Sequence, residues 1–253
     1  CAPTGETLSL LKFPEMFGTL FETFMPMKRK AAKVAGPIVQ STLRIPMPKD
    51  DVFADMGPFM DRMDRLQKLM RDKDTVSLRI VTTPEKIVIK ETKRNFTWLH
   101  LYDYNVDAII VNKVYPREAL DGYFSKWIDL QETGLTELRE SFRDIPLFTL
   151  ELQKQELKTL PLLLSIAGLY GDRDPAEVLA RNKIFRIRQD RGQPVLDIFL
   201  PFTEKSEMEL GQRDGEIQMT IRNEKRCFAL PDALKGLSMQ SAKLEEGVLS
   251  IRF

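Results

Sequence analysis

The sequence predicts an α/β region, in which a parallel sheet packs against helices, followed by an all-β sandwich. Between residues 78 and 148, short apolar runs rich in β-branched residues alternate with longer helical patterns. This alternation is typical of parallel strands joined by crossover helices. Beyond Asn182, seven short runs with apolar or alternating residues are separated by turn residues, as in a β-sandwich. We therefore predict two domains, residues 1–182 and 183–253.

Residues 15–71 are predicted to form a Met-rich helical insertion in the first domain. Eight of the eleven methionines fall between Pro14 and Arg71. A helix is predicted over residues 50–71, where Pro58 is expected to kink or split it. Because unbranched, polarizable Met side chains fit varied apolar surfaces, we expect a groove for an apolar client helix, with packing into an ordinary core as the alternative. The candidate groove residues are Met16, Phe17, Leu20, Phe24, Met56, Met60 and Met63.

The remaining elements of the α/β region follow in order. A buried strand is expected around residues 78–81, and Thr83 is expected to cap the helix that follows it. A second strand is predicted over residues 108–116 because Ile, Val and Ala dominate it. One long charged helix is then predicted from about residue 117 to 142, and a third short strand at residues 144–148.

The second domain is predicted as seven strands joined by tight turns. The predicted strands are residues 184–188, 195–200, 207–210, 217–222, 226–230, 238–244 and 248–253. The turn signals between them are Arg191-Gly192, Asp214-Gly215, Asn223-Glu224 and Glu246-Gly247.

Composition and charge argue against several classes of function. The chain has 253 residues, of which 43% are apolar and 30% charged, and its formal net charge is +1. Duplex-binding proteins usually carry a basic excess on one face, so nucleic acid is not expected as a partner. No run of 18 apolar residues predicts a membrane span, and two cysteines with one histidine predict no metal site. A cytoplasmic setting is expected, with peripheral attachment to a membrane as an alternative.

The opening run CAPTGETLSLLKFPE, residues 1–15, places the Thr4 hydroxyl beside the Gly5 backbone N–H, with Pro3 before them. This arrangement suits the sensing of a terminal phosphate, although a simple turn is the alternative. The run resembles the second switch loop of the arsenite-pump and tail-anchored-protein-targeting ATPases. VTTPEKIVIKETKR from Val81 and IIVNKVYP from Ile109 resemble later blocks of the same family.

This resemblance implies that residues 1–182 are the C-terminal part of a P-loop ATPase domain. It assigns γ-phosphate sensing to Pro3, Thr4 and Gly5, and it implies ATP and Mg²⁺ in the intact protein. It also assigns adenine binding to Asn112, Pro146, Leu147 and Phe148, and a strand-end cap is the alternative for Asn112. None of the thirteen glycines belongs to a G-x-x-x-x-G-K-[ST] motif. We therefore expect this chain alone to be inactive and to bind no cofactor tightly. Whether the chain is an enzyme is left open at this point.

The C-terminal pieces CFALP, from Cys227, and AKLEEGVLSI, from Ala242, resemble the small heat-shock, α-crystallin type of domain. Together, the two resemblances predict a fragment of an arsenite-pump-like ATPase that couples ATP binding and hydrolysis to transport or to delivery of a client. The ATPase resemblance implies a homodimer, with a membrane transporter or an apolar client helix as further partner. The alternative function is a chaperone-like module that holds apolar segments in the Met-rich groove. A third reading, a protein of the membrane surface, rests on the basic residues Lys28, Arg29, Lys30 and Lys33.

Overall fold

The computed structural model describes Glu6, Leu11 and residues 50–253 apart from positions 121, 214 and 223, with side chains from residue 58 onward. The chain divides into two compact units, residues 1–76 and 77–253. The predicted domain boundary after residue 182 falls inside the second unit and stays a prediction. Several predicted site residues lie outside the described residues: Pro3, Thr4, Gly5, Met16, Phe17, Leu20, Phe24 and the side chain of Met56.

The first unit contains helix α1, Asp50–Arg71, as predicted. Pro58 lies inside α1 without dividing it, so the helix is not split there, and the kink stays a prediction. An interior proline removes its own N–H donor and its ring crowds the carbonyl four residues earlier, which can bend a helix without ending it. The helix ends at a turn in which the Thr75 hydroxyl (2.6 Å) and the Asp74 N–H (3.0 Å) donate to the Asp72 carboxylate. These hydrogen bonds lower the pKa of Asp72.

The second unit begins with a parallel three-stranded sheet in the order β1-β2-β3. The strands are β1, Leu78–Thr82, β2, Val106–Val114, and β3, Leu147–Glu151. The central strand β2 is buried along most of its length, which explains its continuous apolar sequence. The third strand starts three residues later than predicted. Pro146 has no N–H to give to the ladder, and only its carbonyl joins, accepting from the Ile109 N–H at 2.9 Å.

Four helices accompany this sheet: α2, Lys86–Leu101, α3, Arg117–Leu120, α4, Lys126–Ser141, and α5, Leu160–Ser165. The prediction of a single helix from 117 to 142 is wrong. A 3₁₀ turn at Gly122–Phe124 separates α3 from α4, and Gly122 has φ 78°. Glycine adopts this left-handed conformation at little energetic cost, so the chain changes direction there.

The predicted N-cap at Thr83 is also wrong, because α2 starts two residues later. Glu85 is the N-cap residue, and its carbonyl accepts the first helical hydrogen bond, from Ile89 at 2.9 Å. The Thr83 hydroxyl donates to the Glu85 carboxylate instead of capping a backbone N–H. The competition between side-chain and backbone acceptors decides where this helix begins.

All seven strands predicted after residue 182 are confirmed, with ends shifted by a few residues. They are β4, Phe185–Asp190, β5, Gln193–Phe199, β6, Met208–Arg213, β7, Glu216–Ile221, β8, Glu224–Ala229, β9, Ser241–Glu245, and β10, Val248–Arg252. They form two antiparallel sheets, β4-β5-β10-β9 and β6-β7-β8. Positive φ at Arg191 and Gly192, and at Glu246 and Gly247, fits the two-residue hairpin turns expected there.

The α/β region, residues 77–182, and the β region, residues 183–253, touch along helix α2. The Thr97 hydroxyl donates to the Pro201 carbonyl at 2.6 Å, and Arg226 Nε donates to the Leu101 carbonyl at 3.2 Å. The Arg226 guanidinium also lies 4.7 Å from the centre of the Tyr102 ring. Burial lowers the pKa of Arg226 and raises that of Tyr102 to about 12. We call this contact the seam.

Candidate functional site

The three parallel strands end at one edge of their sheet, after Thr82 in β1, Val114 in β2 and Glu151 in β3. In open α/β sheets, ligands bind outside the carboxyl ends of the strands. This C-terminal edge is therefore the candidate ligand site of the second unit.

Asn112 lies at this edge, in an irregularity of β2. The pairing with β3 jumps from Val111 to Val114, and Lys113 between them has φ 55°. The Lys113 N–H donates to Asn112 Oδ1 at 2.8 Å, which fixes the amide plane. One lone pair of Oδ1 and both hydrogens of Nδ2 remain for a ligand. An asparagine amide used in this way matches the N6 donor and N7 acceptor of adenine.

The structure does not bring the other predicted adenine residues to Asn112. Pro146 precedes β3, Leu147 pairs with Ile109, and Phe148 pairs with the next residue of β2. Three strand residues separate the level of Leu147 from that of Asn112, which corresponds to about 10 Å. The Phe148 ring packs instead against Tyr170, with ring centres 4.9 Å apart. An adenine role for these three residues stays a prediction.

The segment that follows β3 meets β2 at Val114, two residues beyond Asn112. The Leu152 N–H donates to the Val114 carbonyl at 2.8 Å, and Gln153 Nε2 donates to the Glu151 carbonyl at 2.9 Å. Leu152 is 42% exposed. No local sequence signal selects Leu152 and Gln153, because the pairing of β3 with β2 is visible only in the structure.

Helix α4 closes one side of the C-terminal edge. Gln131 on α4 accepts from the Tyr115 N–H at 2.8 Å and donates to the Tyr115 carbonyl at 3.0 Å, which holds the end of β2 against the helix. Gly134 packs so closely on the Pro84 carbonyl that no side chain would fit. A cavity of about 480 Å³ lies between α4 and the start of α2, and Trp127 is among its lining residues.

The opposite edge of the sheet is filled by the chain itself. Asp107, which is fully buried, pairs with Arg79 at 3.2 Å and accepts from the Leu179 N–H at 3.0 Å. Asn105 donates to the Ala180 carbonyl at 2.8 Å and accepts from the Asn182 N–H at 3.0 Å. These contacts occupy the N-terminal edge, so among the described residues the C-terminal edge is the candidate site.

In the first unit, the described part of the candidate groove is one face of α1. Met60 and Met63 are half-buried. Phe59, Leu66 and Leu69 are exposed by 43%, 44% and 48%. The helix therefore carries large apolar side chains that are partly open to solvent.

Two further kinds of feature, a metal site and a membrane-spanning helix, are absent from the part of the chain that the structure describes. No cluster of three or more His, Cys, Asp or Glu side chains suited to a metal ion occurs there. Among the same residues, no helix is both long and apolar enough to cross a membrane.

A parallel sheet with accompanying helices, followed by two antiparallel sheets, defines an α/β protein with an added β domain. Comparison with protein families agrees. The Anion-transporting ATPase family matches residues 1–171, and the HSP20-like domain found in ArsA matches residues 191–253. The chain belongs to the anion-transporting ATPase family and carries an HSP20-like domain, as both resemblances in the sequence indicated.

The relatives are consistent with this assignment. A protein of Aquifex aeolicus named as an arsenical pump-driving ATPase is 31% identical over 98% of this chain and 64% of its own length. A protein of Chlorobaculum tepidum with the same kind of name is 27% identical over 100% of this chain and 63% of its own length. ATPase GET3C of Arabidopsis thaliana is 25% identical over 66% of this chain and 44% of its own length. The chain thus spans less than two thirds of the first two relatives.

Proposed function

We propose that this chain forms part of an ATPase that couples ATP binding and hydrolysis to transport or to delivery of a client. The observation that carries the proposal is the Asn112 amide, oriented by Lys113 at the C-terminal edge of a parallel sheet in a member of an ATPase family. The names of the bacterial relatives favour arsenical transport, and that of the plant relative favours a role like that of GET3 proteins.

The candidate site residues act together with parts of the ATPase that this sequence does not contain. Asn112 holds the adenine base. Thr4 and Gly5 respond to the γ-phosphate. ATP and Mg²⁺ need a phosphate cradle with a lysine and a Ser or Thr hydroxyl, and this sequence has no such motif. The 253-residue chain alone should show no magnesium-dependent ATP turnover above background.

The test compares Asn112→Asp with the parent chain. The aspartate still accepts the Lys113 hydrogen bond but loses the donor that faces adenine N7, so the local backbone should stay intact. Saturation-transfer NMR with ATP should show transfer to the adenine protons in the parent and none in the variant. Gln189→Glu makes the same amide-to-carboxylate change on exposed β4 and should leave the transfer unchanged. Equal transfer in Asn112→Asp would contradict the adenine assignment.

A chaperone-like function is the second candidate, favoured by the exposed apolar side chains of α1 and by the HSP20-like domain. In this case Met56, Met60 and Met63 help to hold an apolar client helix. Replacing Met60 and Met63 together with Ser should weaken capture of a fluorescent Leu-rich helical peptide several-fold, with little change in melting temperature. The control replaces Met208 and Met239, two half-buried methionines of the β region, with Ser. Equal weakening by both pairs, or no capture by the parent, would rule this function out.

We propose the homodimer, and a membrane transporter or an apolar client helix as further partner, on the resemblance to the ATPase family. Sedimentation of the chain at several concentrations tests the dimer directly. A single monomeric species at all concentrations would count against it for this chain.

A further inference from the structure

A second cavity, of about 520 Å³, lies at the seam between the α/β region and the β region. Its walls come from α2, from the end of α4, from the segment that starts β4, and from the turn between β9 and β10. We call it the seam cleft. Small-molecule sites fall in this range of volume and occur preferentially where two structural parts meet.

One wall of the seam cleft is an aromatic cluster. The rings of Phe96 and Phe142 have their centres 5.4 Å apart, and the Phe202 ring lies 5.2 Å from that of Phe142. The His100 ring stacks on Phe96 at 5.9 Å. Phe96, Phe142 and His100 are buried, whereas Phe202 and the neighbouring Phe199 are half-buried and offer apolar surface to the cavity.

The backbone at Phe202 is unusual. Its φ is 62°, a left-handed conformation that a bulky residue adopts rarely and only when its surroundings hold it there. The ring is held by the aromatic cluster and by the Lys93 ammonium group, 5.6 Å from its centre. The aromatic wall is thus a fixed feature of the seam.

The rim of the seam cleft is basic. Four cations face two carboxylates there: Arg143, Arg181, Lys183 and Arg186 against Asp144 and Glu246. Within the described part of the chain, Arg143 and Lys183 form no ion pair, whereas Arg186 bonds to Asp197 at 3.0 Å. The two rim cations without an ion pair, Arg143 and Lys183, lie beside an apolar wall, which suits a ligand that has one or two negative charges.

We propose that the seam cleft binds a small organic anion. A planar apolar body packs against Phe199 and Phe202, and its anionic group lies near Arg143 and Lys183. The site is distinct from the nucleotide edge: Asn182, which lines the cleft, donates to the carbonyl of Val106 at the start of β2, whereas Asn112 lies near the other end of that strand. The proposal does not depend on the proposed function.

The test uses two fluorescent probes of nearly the same shape on the full 253-residue chain. 1-Anilinonaphthalene-8-sulfonate is an aromatic anion, and N-phenyl-1-naphthylamine lacks its sulfonate. Reversing both free cations, Arg143→Glu with Lys183→Glu, should weaken binding of the anionic probe at least tenfold, because two attractive charges near the sulfonate become repulsive. Binding of the neutral probe should change less than twofold.

Two further variants assign the effect to this cleft. Lys154→Glu with Lys225→Glu makes the same change of net charge at exposed positions away from the cleft and should leave both probes bound as in the parent. Ser141→Phe puts a larger side chain into the lining and should weaken both probes. Equal loss with the two charge-reversal pairs would overturn the proposal. So would unchanged binding in Ser141→Phe, or equal loss of the anionic and the neutral probe.

Discussion

The α/β region and the β region connect their buried polar groups over different distances along the chain. Asp107 in the α/β region bonds to Arg79, 28 positions earlier, and to Leu179, 72 positions later. In the β region, Asp197 bonds to Arg186 and Arg188, which lie 11 and 9 positions earlier on the neighbouring strand, and to Ser250, 53 positions later on β10. The α/β region is complete only when the segment near Leu179 returns to the sheet. The β region closes mainly through hairpins.

This difference predicts where the structure is sensitive. Contacts between distant parts of a chain form only after a large loss of chain entropy, and losing one releases a long segment. A hairpin contact holds only its own two strands. Changes at the long-range contacts of the α/β region should therefore have larger effects than changes at turns of the β region.

The largest effect is expected from Asp107→Ala. It leaves the Arg79 guanidinium without its buried carboxylate and the Leu179 N–H without an acceptor, and removing one member of a buried ion pair costs about 3–5 kcal/mol. Urea unfolding followed by the fluorescence of Trp98 and Trp127 measures the loss. Asp144→Ala, at an exposed carboxyl, should change stability by less than about 0.5 kcal/mol. Similar urea midpoints for the two variants would show that the contacts of Asp107 with Arg79 and Leu179 contribute little to stability.

Gly134→Ala should have the next largest effect. The added methyl group would overlap the Pro84 carbonyl oxygen, so α4 must move away from the turn between β1 and α2. Overpacking of this kind costs about 1–3 kcal/mol, measured as above by urea unfolding. Gly168→Ala is the control, because a methyl group there meets nothing within 4 Å. Equal stability of both variants would mean that α4 adjusts without strain.

The same difference explains how much of the fold could be predicted from sequence. All seven β-region strands were predictable because local turn residues separate most of them, as at Arg191-Gly192 and Glu246-Gly247. In the α/β region, strand and helix types were predictable, but the start of α2 was not. It depends on whether the Thr83 hydroxyl bonds to the backbone or to Glu85, which the sequence does not reveal.

The candidate site was predictable only in part, for a related reason. Asn112 could be selected because it ends an apolar strand, and the structure has it at the C-terminal edge. Which residues of the third strand lie beside it depends on strand register. In the observed register, Phe148 packs against Tyr170, and the Leu152 N–H donates to the Val114 carbonyl at the end of β2. Register depends on neighbouring strands, so local sequence does not determine it.

A smaller effect is expected from Gly192→Ala in the turn between β4 and β5. Gly192 has φ 82°, and a left-handed conformation costs an alanine about 1–2 kcal/mol. Gly211→Ala in β6, where a methyl group meets nothing within 4 Å, is the control and should be neutral. Thermal melting monitored by circular dichroism measures both variants. A melting temperature lowered more than in Asp107→Ala would reverse the expected order of the two regions.

The last prediction concerns the effect of acid on the buried carboxyl of Asp197. Burial raises its pKa, but hydrogen bonds from Arg188, Ser250 and Arg186 outweigh burial and hold the pKa below its usual value. As the pH falls, the Asp197 carboxyl therefore takes up a proton at a higher pH in the unfolded chain than in the folded chain. The stabilisation by Asp197 is therefore fully present above the unfolded pKa of about 4 and is lost as the pH falls through the folded pKa.

Asp197→Asn removes this titration while nearly keeping the shape of the side chain. The parent chain should be more stable than the variant at pH 7, and the gap should narrow steadily below about pH 4, as measured by urea unfolding between pH 3 and 7. Asp232→Asn, at an exposed carboxyl paired with Lys235, should show almost no gap at any pH, because ion pairs at the surface contribute little. A gap for Asp197→Asn that stays constant or widens in acid would mean that Arg186 and Arg188 do not stabilise the ionised carboxylate.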